Sequence, residues 1–101
     1  MRTHPKPGRM TEEAALEVAS QALLFLAEDA GRLGRFLAET GLDPDTLRHR
    51  ARTPEVLGAA LGHIMQDEST LLTFAANAGL KPEGLSTALA ALGLAGPWDS
   101  T

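Results

Sequence analysis

Residues 17–50 of this chain are echoed by residues 55–88. At an offset of 38 the pairs Glu17/Glu55, Val18/Val56, Ala22/Ala60, Leu23/Leu61, Asp29/Asp67 and Leu33/Leu71 match, as do Phe36/Phe74, Ala38/Ala76, Gly41/Gly79, Leu42/Leu80, Pro44/Pro82 and Leu47/Leu85. That makes 12 identities in 34 aligned positions. Six are Leu or Ala, which match cheaply in a chain rich in both. The rest include two of the three Phe and a Gly-Leu-x-Pro turn that falls in the same place twice. A period of this length is the mark of a stacked or pseudo-symmetric unit of secondary structure. Positions that agree between the halves need only a structural reason. Specific function is to be sought where the halves differ.

The repeated unit reads as helical. β-branched residues are few, aromatics are 4%, and Leu and Ala dominate the 44% apolar content, a mixture that favours helix over strand. Thr11 is a good N-cap, with Glu12 and Glu13 in the first turn where negative charge is favourable. From there a helix runs to about Glu28. Its apolar rows are Ala15, Val18, Ala22 and Phe25, and Leu16, Ala19, Leu23 and Leu26. Asp29 caps a second helix that Gly41 ends, with Leu33, Phe36 and Leu37 inward. Asp43-Pro44 opens a third, anchored by Leu47 and Ala51 and ending near Arg52. Thr53-Pro54 restarts the pattern. Helix four carries Val56, Leu57, Ala60, Leu61, Ile64 and Met65. Asp67 caps helix five, with Leu71, Leu72, Phe74 and Ala75 inward and Gly79 at its end. Pro82 opens helix six, with Leu85, Leu89 and Leu92 inward, and Gly93 closes it.

The expected architecture is therefore all-α: six short helices forming two diverged three-helix units in one domain over residues 11–93. Residues 1–10, basic and Pro-rich, read as a disordered tail, and residues 94–101, with the chain's one Trp, as a C-terminal tail. One hundred and one residues suffice for a single modest core, with a net stability of about 5–10 kcal/mol. The most apolar stretch, Ala14 to Ala27, is too short for a membrane span and carries Glu17 and Gln21. With no Cys there is no thiolate chemistry, and a reducing, cytoplasmic location is the natural expectation.

The sequence presents no catalytic constellation and no cofactor or metal motif, so the expectation is a non-enzymatic protein without a cofactor. His63 and Asp67 lie four apart and can meet on one helix face, but the pair lacks the second strong ligand that a metal site needs. His63 aligns with Phe25 in the repeat, which places it at a half-buried position. The carboxylate pairs Glu12/Glu13, Glu28/Asp29 and Asp67/Glu68 are sequence neighbours, and adjacent residues on a helix do not face each other. No glycine-rich phosphate loop is present.

The residues 12–98 resemble a small bacterial family of short helical proteins catalogued only as a domain of unknown function. The resemblance rests on FLAED…RLGRFLAETGLDPDTLR and on LGHIMQDESTLLTFAANAGLKPE, above all the TGLDP turn, the Asp67-Glu68 pair and the LLTFA stretch. It implies an all-α fold and transfers no catalytic or binding residue.

What distinguishes the halves is charge. Arg32, Arg35, Arg48, Arg50 and Arg52 all fall in the first, while Lys81 is the lone cation from Glu55 to Gly93. Arg50 and Arg52 sit near a helix C-terminus, where cations are stabilising, and Arg35 can pair with Glu39 four residues on. Arg32, near the start of its helix, has no such explanation. The candidate partner-binding residues are thus Arg32, Arg35, Arg48, Arg52 and Trp98. Arg32, Arg35 and Arg48 are expected to be solvent-exposed and to converge on a face of helices two and three that meets an acidic protein partner, while Trp98 in the tail reads either as a lid over an open end of the helices or as an exposed binding anchor. The alternative is an anion- or nucleic-acid-binding module, which the net charge of −4 disfavours. The sequence leaves monomer and homodimer both open.

Overall fold

The computed structural model describes residues 10–93 and places six helices there: α1 Glu12–Ala27, α2 Ala30–Thr40, α3 Pro44–Arg50, α4 Pro54–Met65, α5 Glu68–Ala78 and α6 Pro82–Ala91. No strand occurs among the described residues. Local chemistry sets these boundaries. Thr11, Asp29, Asp43, Thr53 and Asp67 each accept a backbone N–H from three residues on, so five of the six helices begin on a side-chain cap. The exception is α6, where Lys81 offers no acceptor and Pro82 opens the helix. Gly41 and Gly79, at φ 78° and 70°, end α2 and α5 in the left-handed conformation that a side chain resists.

The offset of 38 carries the bounds of α2 onto those of α5, and both helices have 11 residues. Asp29 and Asp67 share nearly the same extended backbone. The third helices differ. In α6, Leu85 and Ala88 are fully buried, and the helix packs on α1, α4 and α5. α3 is shorter and buries no residue; the half-buried Leu47 is its apolar contact with the core. It also ends at Arg50, two residues before its expected stop. Since full burial of a Leu is worth roughly 1.5–3 kcal/mol, α3 is held far less firmly than its counterpart.

α1 lies against α4 more extensively than any other two helices meet. Both helices bury small side chains: Ala15, Ala19, Ala22 and Ala60 have no exposed surface. Phe25, Leu26, Leu61 and Ile64 extend the same core, and α2 and α5 close it with Phe36 and Phe74. Phe74 meets Phe25 at 5.4 Å between ring centroids, tilted by 56°. Leu33 and Leu37 are half-buried, short of full burial. Leu72, expected inward, is 47% exposed. Phe74 and Ala75 occupy the buried stripe of α5, and Leu72 lies on the opposite side of the helix, two residues from Phe74.

Two caps respond to acid. The Asp43 carboxyl lies below its ordinary value because it accepts the Thr46 N–H. That of Asp67 is lowered by the Thr70 hydroxyl and N–H, at 2.6 and 2.9 Å, with help from the Arg35 charge. A carboxyl with a depressed folded-state pKa stabilises the fold above its unfolded value of 3.8, and that contribution fades as pH falls through the folded value. Stability measured by urea unfolding should therefore drop between about pH 5 and about pH 2. The double variant Asp43→Asn/Asp67→Asn, which keeps capping oxygens but cannot titrate, should show a shallower slope. An unchanged slope would assign the acid sensitivity to other groups.

Candidate functional site

Two of the arginines come together. Arg32 and Arg35, one turn apart on α2, line a cleft of about 320 Å³ with His63 and Gln66 from the end of α4 and Asp67 and Thr70 from the start of α5. Its floor is the buried Leu26 of α1. The capped turn at Asp29 orients this part of α2: its carboxylate accepts the Arg32 N–H at 3.0 Å. The Arg32 guanidinium then lies 4.1 Å from the centroid of the Phe25 ring. That stacking offsets the unfavourable placement of a cation near a helix N-terminus. It also holds the side chain in one orientation, half-buried, while Arg35 is exposed. Neither guanidinium has a carboxylate within salt-bridge distance among the described residues.

The remaining candidates lie elsewhere. Arg48 pairs with Asp45 on its own helix at 2.9 Å, with both side chains 73% exposed. A surface pair of this kind is worth under about 1 kcal/mol. Arg52 borders a separate groove with Leu16, Ser20, Leu23 and Leu57. The expected convergence of helices two and three into one arginine face is thus reduced to the α2 pair. α3 is a separate short helix whose cations serve its own last turn. Trp98 lies outside the described residues.

The His63–Asp67 contact that their spacing of four allows does not form. The His63 Nδ1 meets Glu39 Oε1 across the α2–α4 contact instead of Asp67 on its own chain segment. The ring is mostly buried, with 17% of its side chain exposed, and stands edge-on to Phe36 at 5.4 Å. Asp67 is unavailable because its carboxylate is spent on the α5 cap. Glu39, engaged with His63, is likewise not the partner of Arg35. Sequence reasoning missed this link and the contribution of Gln66 and Thr70. The Phe25/His63 alignment was the one available signal, since it placed the ring toward the interior.

No group of three or more His, Cys, Asp or Glu side chains that could hold a metal ion is found among the described residues. No described helix is long and apolar enough to cross a membrane. The geometry is that of a small all-α protein with a shallow two-arginine cleft at the corner of α2, α4 and α5. The chain belongs to the family described as "Protein of unknown function (DUF3572)", which it matches over residues 12–95. The match ends three residues before Trp98, short of the expected span to residue 98. Comparison with curated proteins and with solved structures gives no match.

Proposed function

We propose that this protein is a non-enzymatic interaction module that seats an acidic segment of a protein partner in the Arg32/Arg35 cleft. The observation that carries the reading is that both guanidinium groups line one cleft and neither lies within salt-bridge distance of a carboxylate among the described residues, the nearby Asp67 being held in the α5 cap. A planar guanidinium is suited to bidentate recognition of a carboxylate, and stacking on Phe25 orients Arg32 for it in advance. Gln66 and Thr70 add polar groups on the facing wall. A nucleic acid would call for a longer basic track that neutralises several phosphates. Arg48 and Arg52 do not extend this one, and the chain is net negative. The absence of Cys supports a cytoplasmic setting for the interaction.

The test is a fluorescence-anisotropy titration with a labelled Glu/Asp-rich peptide, against a DNA duplex as comparator. The peptide should bind with an affinity that falls as salt rises. The double variant Arg32→Gln/Arg35→Gln should weaken it at least tenfold, while Arg48→Gln/Arg52→Gln leaves it within about twofold, as expected of charges outside the contact. Binding of duplex in place of peptide, or equal loss from both double variants, would overturn the reading.

A further inference from the structure

Large apolar side chains are exposed at two places among the described residues, Leu24 at 64% and Leu72 at 47%. Leu24 stands between two grooves on the outer side of α1. One, of about 520 Å³, is lined by Leu16, Ser20, Leu23, Leu57 and Arg52. The other, of about 380 Å³, is lined by Gln21, Phe25, Glu28, Phe74 and Asn77. Leu24 borders both, so the face is a ridge with a hollow on either side. It shares no lining residue with the Arg32/Arg35 cleft. The repeat does not call for this leucine, whose counterpart at the offset of 38 is Gly62.

The charges on the two sides of the ridge are opposite. Glu28 borders one groove and Arg52 the other, and neither has a salt-bridge partner among the described residues. Glu28 and Ser20 lie four residues to either side of Leu24, about 6 Å along the helix axis. Ser20 and Arg52 line the same groove. A two-fold axis through Leu24, perpendicular to α1, therefore lays Glu28 of one copy over Ser20 of a second and brings it to the second copy's Arg52. The same operation makes that pair twice, as a contact between identical faces requires. Glu17, a turn beyond Ser20, falls past the end of the facing helix in this register, because α1 stops at Ala27. A depression along α4 is a poorer seat for the ridge. Glu39 and Glu55 line it and, among the described residues, no Arg or Lys does, so Glu28 would meet like charge there.

We propose that a second copy of this chain docks on this face, its α1 antiparallel to the first and the two Leu24 side chains in contact at the axis. Each leucine ridge packs beside its twin and over the other copy's hollows, as ridges into grooves. The Glu28–Arg52 pairs close the contact at both ends. Two helices meeting at one crossing bury less than a standard interface, so the dimer is a reversible one. Its charge pairs lie at the rim, where salt screens them.

Sedimentation equilibrium of the full chain checks the assignment. Wild type should pass from monomer to dimer as its concentration rises. Leu24→Asp should weaken the dimer at least tenfold. Far-UV circular dichroism should keep its helical signal, because that side chain lies outside the core. Leu72→Asp, at the other exposed leucine, should leave the dimer unchanged. Glu28→Arg and Arg52→Glu should each weaken it alone. An equal mixture of these two variants should restore it, since the mixed dimer sets opposite charges together at both ends. A dimer that tolerates Leu24→Asp overturns the proposal, as does equal loss from Leu72→Asp or a mixture that associates no better than its components. A chain that stays monomeric at every concentration overturns it too, and makes a different protein the occupant of the face.

Discussion

Phe36→Ala and Phe74→Ala should each lower the stability of the protein by about 3–5 kcal/mol, against a total of about 5–10 kcal/mol. Phe36 has no exposed surface and Phe74 has 2%. Each ring fills the space that α2 or α5 closes over the α1–α4 core, so truncation removes buried surface and leaves a cavity with rigid helical walls. For a chain of this size the melting temperature should fall by roughly 15–30 °C. The two variants should also differ. Phe36 supports the edge of the His63 ring, so its loss loosens the His63–Glu39 contact between α2 and α4. Phe74 supports Phe25, over which Arg32 is stacked. In NMR spectra, Phe36→Ala should move the His63 ring resonances more than Phe74→Ala does. Melting curves that superimpose on wild type would mean that these rings do not hold the core.

Enlarging the small side chains between the central helices should be the other severe change. Ala22→Leu and Ala60→Leu each insert a branched side chain where the wild-type residue has no exposed surface. Both residues belong to the one core cluster on which the surrounding helices pack, so an added branch has no free space to enter. The cost should be about 1–3 kcal/mol for each and could reach the upper end for Ala22, in the middle of α1. The same substitution at Ala38 and Ala76, both exposed, should change stability by no more than about 0.5 kcal/mol. Urea midpoints for the four variants give the comparison directly. If Ala22→Leu and Ala60→Leu are as well tolerated as the exposed pair, the central interface is looser than its burial implies.

These two alanine pairs show how far the sequence could be read. Ala22/Ala60 and Ala38/Ala76 are both identities in the repeat, and nothing in that match says which pair lies between helices. Identity at Phe36/Phe74 was more informative, because a large apolar ring has few places to go except the core. Leu72 misled for the reverse reason. Leu is common here, and its inward assignment rested on an apolar run in which more than one face of α5 had candidates.

The sequence by itself determined the helices and their ends. An Asp or Thr that accepts an N–H three residues on, a Gly at positive φ, and a Pro in a first turn act through atoms close along the chain, so α1 to α6 follow from local chemistry. The matching spans of α2 and α5 follow from the same signals repeated at an offset of 38. What tertiary structure alone decided is who meets whom across that distance. Glu39 and His63 are 24 residues apart, and their contact depends on how α2 crosses α4. The same crossing brings Arg32 and Arg35 to Gln66 and Thr70 and leaves Arg48 to Asp45. Charge asymmetry in the sequence marked five arginines as one group, but charge carries no direction along a chain. Only the packing of α2 on α1 and α4, beside the start of α5, and the separation of α3 from it, sorted that group into a cleft and a solvated surface.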